Sequence, residues 1–205
     1  MKASLKVFLW IMAVAAGMYL SVCAFFYVNQ DVMIFPATRL DAGYTFNFPY
    51  PFTEYKIKNG RDTLSGILFK AQNTKGLIFY LHGNGGALDS WGEIAPTYTA
   101  YNYDLFILDY PGYGKSTGRI FNEEDLLKAV QFAYDTLKTH YQEQDIVIIG
   151  YSIGTGPAAW LAAHQHPKQL VLMAPYYSLT DLIRNKYPFL PAFMAKYKLK
   201  THEYV

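Results

Sequence analysis

The sequence predicts an α/β protein, a mostly parallel sheet with helices on both faces, preceded by one N-terminal transmembrane helix. Three observations carry this. Four short apolar runs, 76–81 (GLIFYL), 104–108 (DLFIL), 146–149 (IVII) and 170–173 (LVLM), each lead into a turn marked by glycine or proline. Segments 122–141 and 152–164, between the later runs, show helical spacing, with Leu126, Ala129, Val130, Ala133 and Leu137 on one face of the first. Strands that stay apolar throughout are strands buried on both sides, and alternation with helices makes neighbouring strands parallel. Third, residues 7–28 (VFLWIMAVAAGMYLSVCAFFYV) run 22 positions without a charge.

At 1.5 Å per residue that stretch spans about 33 Å as a helix, enough to cross a hydrocarbon core of about 30 Å. Lys2 and Lys6 precede it, Asp31 follows, and the next basic residue is Arg39. This asymmetry puts the N-terminus in the cytoplasm and the rest of the chain, single-pass, on the non-cytoplasmic side. The expected segment is an uncleaved signal anchor over residues 1–28. A cleaved signal peptide would have a shorter apolar region and a small-x-small site, whereas Val22-Cys23-Ala24 runs on into aromatics. Lipoprotein processing at Cys23 and a buried core helix are the other readings. Residues 29–52 read as a connector lying on the domain, and 53–205 as the domain itself. Its first elements are 53–58 and 63–70, alternating runs about Asn59-Gly60, a hairpin signal.

Apolar residues make up 52% of the 205, so the domain can build a core. Eighteen Lys+Arg against sixteen Asp+Glu, with no basic cluster, argue against nucleic-acid binding. The single Cys23 cannot form an internal disulfide, and no Cys/His spacing suits a metal, so neither metal nor cofactor is expected. Two glycine motifs are look-alikes. Gly114-Lys115-Ser116 would need glycine at Asp109 to end a phosphate-binding loop, and a dinucleotide fingerprint from Gly83 would need glycine at Leu88.

Gly150-Tyr151-Ser152-Ile153-Gly154 is G-x-S-x-G between a buried strand and a helix. In that context the serine occupies a strained turn with its hydroxyl raised above the sheet, while Gly150 and Gly154 let strand and helix backbones pass closely. Ser152 is the expected nucleophile. An oxyanion hole needs two amides, one from the residue after the nucleophile, Ile153, and one from an earlier loop. His82-Gly83-Asn84-Gly85-Gly86 suits that loop, with Asn84 as donor and His82, Gly83 and Gly85 shaping the turn. The bland alternative for Ser152 is a helix N-cap.

With these pieces the chain resembles the α/β-hydrolases, specifically their membrane-anchored, serine aminopeptidase-like branch. The resemblance rests on QDVMIFP at 30–36, HGNGG at 82–86, DYPGYGKSTG at 109–118, GYSIGTGPA at 150–158 and APYYSLTDL at 174–182. It implies a serine hydrolase that takes esters, thioesters or peptides through an acyl-enzyme, with Asp109 and its glycine turn shaping the site wall. The aromatic stretch 176–200 would lie near the mouth, either as an apolar wall for an acyl chain or packed against the sheet.

That mechanism also needs a base and an acid, in the order Ser, Asp/Glu, His. Asp181 is the only later aspartate and a candidate weak acid, but His164 and His166 lie on the helix behind Ser152, and no strand precedes His202 to place it. The expectation is a C-terminally truncated hydrolase, inactive as this chain. Two alternatives are a non-catalytic membrane-tethered binding protein on the same fold, and a second chain that supplies the late strands and the histidine. The run 170–173 would then be an apolar sheet edge.

Overall fold

The computed structural model describes residues 2–205; Met1 and the side chain of Lys2, which enters the charge asymmetry above, lie outside the described residues. The first helix, α1 (Lys2–Ile34), contains an 18-residue window of mean hydropathy 2.1 and is long and apolar enough to cross a membrane. It continues six residues past the uncharged stretch because nothing in 29–34 breaks it, and Pro36 follows. Its last turns are half-buried against the domain, while residues 3–22 are exposed.

Six strands follow: β1 (Phe52–Asn59), β2 (Asp62–Phe69), β3 (Leu77–Leu81), β4 (Asp104–Leu108), β5 (Ile146–Tyr151) and β6 (Gln169–Met173). The sheet order is β1-β2-β4-β3-β5-β6. β3 pairs in parallel with β4 and with β5, and β5 with β6; β1 and β2 form the antiparallel hairpin, and β2 is antiparallel to β4. The hairpin turn is centred on Gly60-Arg61 rather than on Asn59-Gly60, since Asn59 still pairs with Asp62. Gly60 takes the first central position with φ +64°, which favours glycine there.

Alternate residues of each strand enter two separate cores. Leu77, Phe79, Leu81, Phe106 and Ile148 pack with α4 (Glu123–Leu137) and α5 (Thr155–His164) on one face. Ile67, Phe69, Ile78, Tyr80, Leu105 and Ile107 pack on the other with Phe46, Phe48 and two short helices, α2 (Leu88–Trp91) and α3 (Ala95–Thr99). This two-sided burial is why the runs are continuously apolar. Residues 38–40 lie against the turn after β4: the Leu40 amide donates to the Gly114 carbonyl and the Gly114 amide to the Thr38 carbonyl. α4 opens with an Asn122 N-cap that accepts from the Asp125 amide at 3.0 Å.

β6 is paired only with β5, and so forms one edge of the sheet among the described residues. Beyond it, α6 (Leu179–Lys186) starts on a Ser178 cap, and the chain then returns past the end of α1. Lys198 accepts the Leu179 amide, and the Glu123 carboxylate takes the amides of Lys198 and Leu199.

Candidate active site

Strand β5 ends at Tyr151 and α5 begins at Thr155, joined by a single 3-10 turn, Ser152–Gly154. Ser152 has φ +50°, a left-handed conformation that costs a non-glycine residue about 1–2 kcal/mol. The surroundings enforce it. A Cβ on Gly150 would stand 2.6 Å from both the Ala158 Cβ and the Gly154 carbonyl oxygen, and one on Gly154 would run into the carbonyl of Leu81. Strand, turn and helix therefore touch backbone to backbone. The Thr155 hydroxyl closes the turn by donating to the Ser152 carbonyl at 2.7 Å.

Three tyrosine hydroxyls hold the segments around this turn. Tyr110 donates to the His82 carbonyl (2.8 Å), Tyr113 to the Asn84 carbonyl (2.9 Å) and Tyr176 to the Ile153 carbonyl (3.1 Å). Each tyrosine comes from a loop at the carboxyl end of a strand, β4 or β6, where α/β sheets assemble their sites. Sequence reasoning did not single them out as supports. Their signal is a tyrosine two to five residues past the last strand residue, in DYPGY and APYY.

Ser152, Asn84 and Ile153 line one cavity of about 310 Å³. Tyr176, Leu179, Ile183 and Leu190 form its far wall, and Phe26, Met33 and Ile34 of α1 form another. The 176–200 stretch thus contributes lining from Tyr176 as far as Ala195. The α1 wall went unforeseen, because an anchor reads from sequence as separate from the domain. Gly83 is buried against Tyr151 and Trp91, and the Gly85 carbonyl accepts from the Trp91 indole at 2.8 Å, so both shape the loop without lining the cavity. Asp181 does not line it either: its carboxylate accepts from the Asn185 amide at 3.2 Å. No histidine lines the cavity among the described residues. His202 stacks on Tyr177 with ring centroids 3.7 Å apart, and His164 bonds back to the Trp160 carbonyl.

His82 and Asp109 sit beneath the loop, both fully buried. The His82 Nδ1 lies 2.7 Å from the Gly83 carbonyl and acts there as an N–H donor, while its Nε2 is 3.7 Å from the Asp109 Oδ1. The Asp109 Oδ1 accepts the Leu88 amide at 3.1 Å, which ties the turn after β4 to the start of α2. The His82 Nε2 and Asp109 Oδ2 are buried with no hydrogen-bond partner among the described residues. Burial pushes the imidazole down to about 4 and the carboxyl up to about 8. At pH 7 both groups are predominantly neutral, so the close pair is not an ion pair.

The comparisons agree with this architecture. Residues 76–204, more than half of the chain, match the family model for the alpha/beta hydrolase fold. Protein bem46 of Schizosaccharomyces pombe is 27% identical over 179 residues, covering 80% of this chain and 60% of that protein. Human alpha/beta hydrolase domain-containing protein 17B is 32% identical over 122 residues, 57% of this chain and 40% of the relative. The chain thus spans 60% or less of the length of these relatives. Among solved structures, an alpha-beta hydrolase from Vibrio vulnificus superposes with a TM-score of 0.58 at 26% identity, over 64% of this chain and 48% of that one. The hypothetical protein PA2218 from Pseudomonas aeruginosa gives 0.59 at 17% identity, over 72% and 50%, a likeness of fold alone. The strand order, the bend at Ser152 and the family match lead to one conclusion: the chain belongs to the α/β-hydrolase fold family.

Proposed function

We propose that this chain carries the nucleophile half of a membrane-anchored serine hydrolase acting on esters, thioesters or peptides. The single observation that carries the reading is Ser152 held at φ +50° on the wall of a cavity that it shares with Asn84 and Ile153. In the proposed step the Ser152 Oγ attacks the substrate carbonyl carbon and its proton passes to a base. The backbone amides of Asn84 and Ile153 donate to the developing oxyanion, and on collapse the same base returns the proton to the leaving group, which departs as the alcohol, thiol or amine and leaves an acyl-serine. His82, Gly83, Gly85, Asp109, Gly150 and Gly154 hold this arrangement without touching substrate. The anchor is α1, with the domain on the non-cytoplasmic side.

Since no histidine lines the cavity among the described residues, the proton has no acceptor there, and these residues by themselves are proposed to be inactive. A second polypeptide adding strands beside β6 could bring the base. The same observation favours a second reading, a non-catalytic membrane-tethered binding protein on this fold. Fluorophosphonate labelling in detergent, read by mass spectrometry, separates these. The expected result is slow phosphonylation confined to Ser152, accelerated by added imidazole and abolished by Ser152→Ala. No adduct at Ser152, even with imidazole, overturns the nucleophile reading in favour of the binding protein. Rapid labelling at micromolar probe without imidazole overturns the inactivity.

A further inference from the structure

The cavity wall formed by α1 is a built contact. The Gln30 side chain spans two backbone groups of the returning segment, donating to the Met194 carbonyl and accepting the Lys196 amide, both at 2.9 Å. The Asp31 carboxylate accepts from the Tyr197 hydroxyl at 2.9 Å and from the Lys196 ammonium at 3.3 Å. Phe35 packs edge-on against Tyr197 with centroids 5.0 Å apart, and Phe26 contacts Tyr187 and Phe189. These bonds explain why the QDVMIFP motif follows the apolar stretch: it clamps the end of α1 to the segment after α6, leaving Phe26, Tyr27, Met33 and Ile34 against the cavity.

The height of this clamp relative to a bilayer follows from helix geometry. The uncharged stretch ends at Val28, so Ile34 stands about 9 Å further along the axis, in the headgroup layer when 7–28 fills the hydrocarbon. The returning segment 187–194 (YPFLPAFM) carries no charge. The Tyr19 hydroxyl, well inside the apolar stretch, donates to the Phe189 carbonyl at 3.0 Å, so the segment descends along α1 toward the hydrocarbon side. Phe193 is 89% exposed, and Phe189 and Leu182 are exposed as well. An aromatic and aliphatic surface of this kind beside a spanning helix suits the interface of a membrane.

We propose that the cavity opens into the bilayer between α1 and the 187–194 segment, and that it takes the long acyl chain of a membrane-resident ester or thioester. The proposal deepens the hydrolase reading and rests on it only for the chemistry at Ser152. Ester carbonyls of lipids lie at the boundary between headgroups and hydrocarbon, the depth of Val28, one residue beyond the cavity-lining Phe26 and Tyr27. The acyl chain therefore moves from one apolar medium to another and never crosses water. A volume of about 310 Å³ is roughly ten times a water's share of liquid volume, about 30 Å³, so an acetyl or butyryl group would leave it mostly unfilled. Phe26 and Met33 set the length accepted, and the anchor is at once a specificity element.

The test uses the full chain in phosphatidylcholine vesicles with a hexadecanoyl ester bearing a diazirine in its chain, irradiated and mapped by mass spectrometry. Adducts are expected on residues 182–195 as well as on the lipid-facing part of α1. Met33→Trp fills the cavity and should lower the 182–195 adducts at least fivefold while leaving those on residues 7–20 unchanged. Phe193→Asp, at an exposed position that does not threaten folding, should lower them comparably by lifting the segment from the membrane. A butyryl diazirine ester should label 182–195 weakly. Adducts confined to residues 7–25, or 182–195 adducts indifferent to both substitutions, overturn the proposal. Because cross-linking needs no reaction at Ser152, a Ser152 adduct without substitution-sensitive cross-links refutes this proposal alone. The converse pattern refutes the hydrolase reading alone.

Discussion

Replacing Asp109 by asparagine changes how the stability of the domain depends on pH, and the change can be worked out group by group. The buried Asp109 carboxyl titrates at about 8 in the folded chain against 3.8 as a free group. Between those values the folded state holds one proton more than the unfolded, so stability falls by about 1.4 kcal/mol per pH unit as pH rises. The buried His82 imidazole titrates at about 4 against 6.5. Between pH 4 and 6.5 the folded state holds one proton fewer, so this group makes stability rise with pH at the same slope. The two cancel up to pH 6.5, and above it only Asp109 acts. From pH 6.5 to 8 the pair therefore removes roughly 2 kcal/mol. In Asp109→Asn that decline is absent, while the acid limb, where His82 is forced to protonate, remains.

The assay is urea unfolding in detergent at half-unit steps from pH 5 to 8.5, followed by tryptophan fluorescence. Trp91 lies 5.6 Å from the His82 ring and reports locally. Subtracting the variant's profile from that of the unsubstituted chain removes contributions from every other titrating group. A difference that does not change between pH 6.5 and 8 refutes the reasoning, because it would mean that Asp109 is already ionised in the folded chain.

Further substitutions probe the bend, its supports and the core. Gly154→Ala drives a methyl group into the Leu81 carbonyl and should cost about 3 kcal/mol in urea unfolding, with loss of phosphonylation at Ser152. Tyr176→Phe frees the Ile153 carbonyl from its 3.1 Å bond and should cost about 1 kcal/mol, with slower imidazole-assisted labelling of Ser152. Phe79→Ala removes a fully buried ring stacked on Phe106 at 5.7 Å and should cost about 3–5 kcal/mol, lowering the unfolding midpoint without changing the site's labelling chemistry.

The strands β3 to β6 were legible because each is a short run of apolar residues leading into a turn marked by glycine or proline, and β1 and β2 because they alternate about a glycine turn. The bend at Ser152 was legible for a local reason, since glycines at 150 and 154 mark where backbones must touch. The short helices α2 and α3 were not, because four or five residues make too little periodicity to register. α6 hid in an aromatic, proline-rich stretch despite its Ser178 cap. Asp181 looked available for chemistry by its place in the chain, but in the structure it faces Asn185 and stays outside the cavity.

Residue type and spacing alone determined the apolar span, the parallel core and the strained serine, each of which arises from contacts within a few residues or from burial on a repeating face. Which distant segments meet was decided by tertiary packing. Gln30 and Asp31 reach across some 165 positions to Met194, Lys196 and Tyr197, and the burial shared by His82 and Asp109 sets their charge. Such contacts leave no periodic trace in a single sequence, since their partners are neighbours only after the chain has folded.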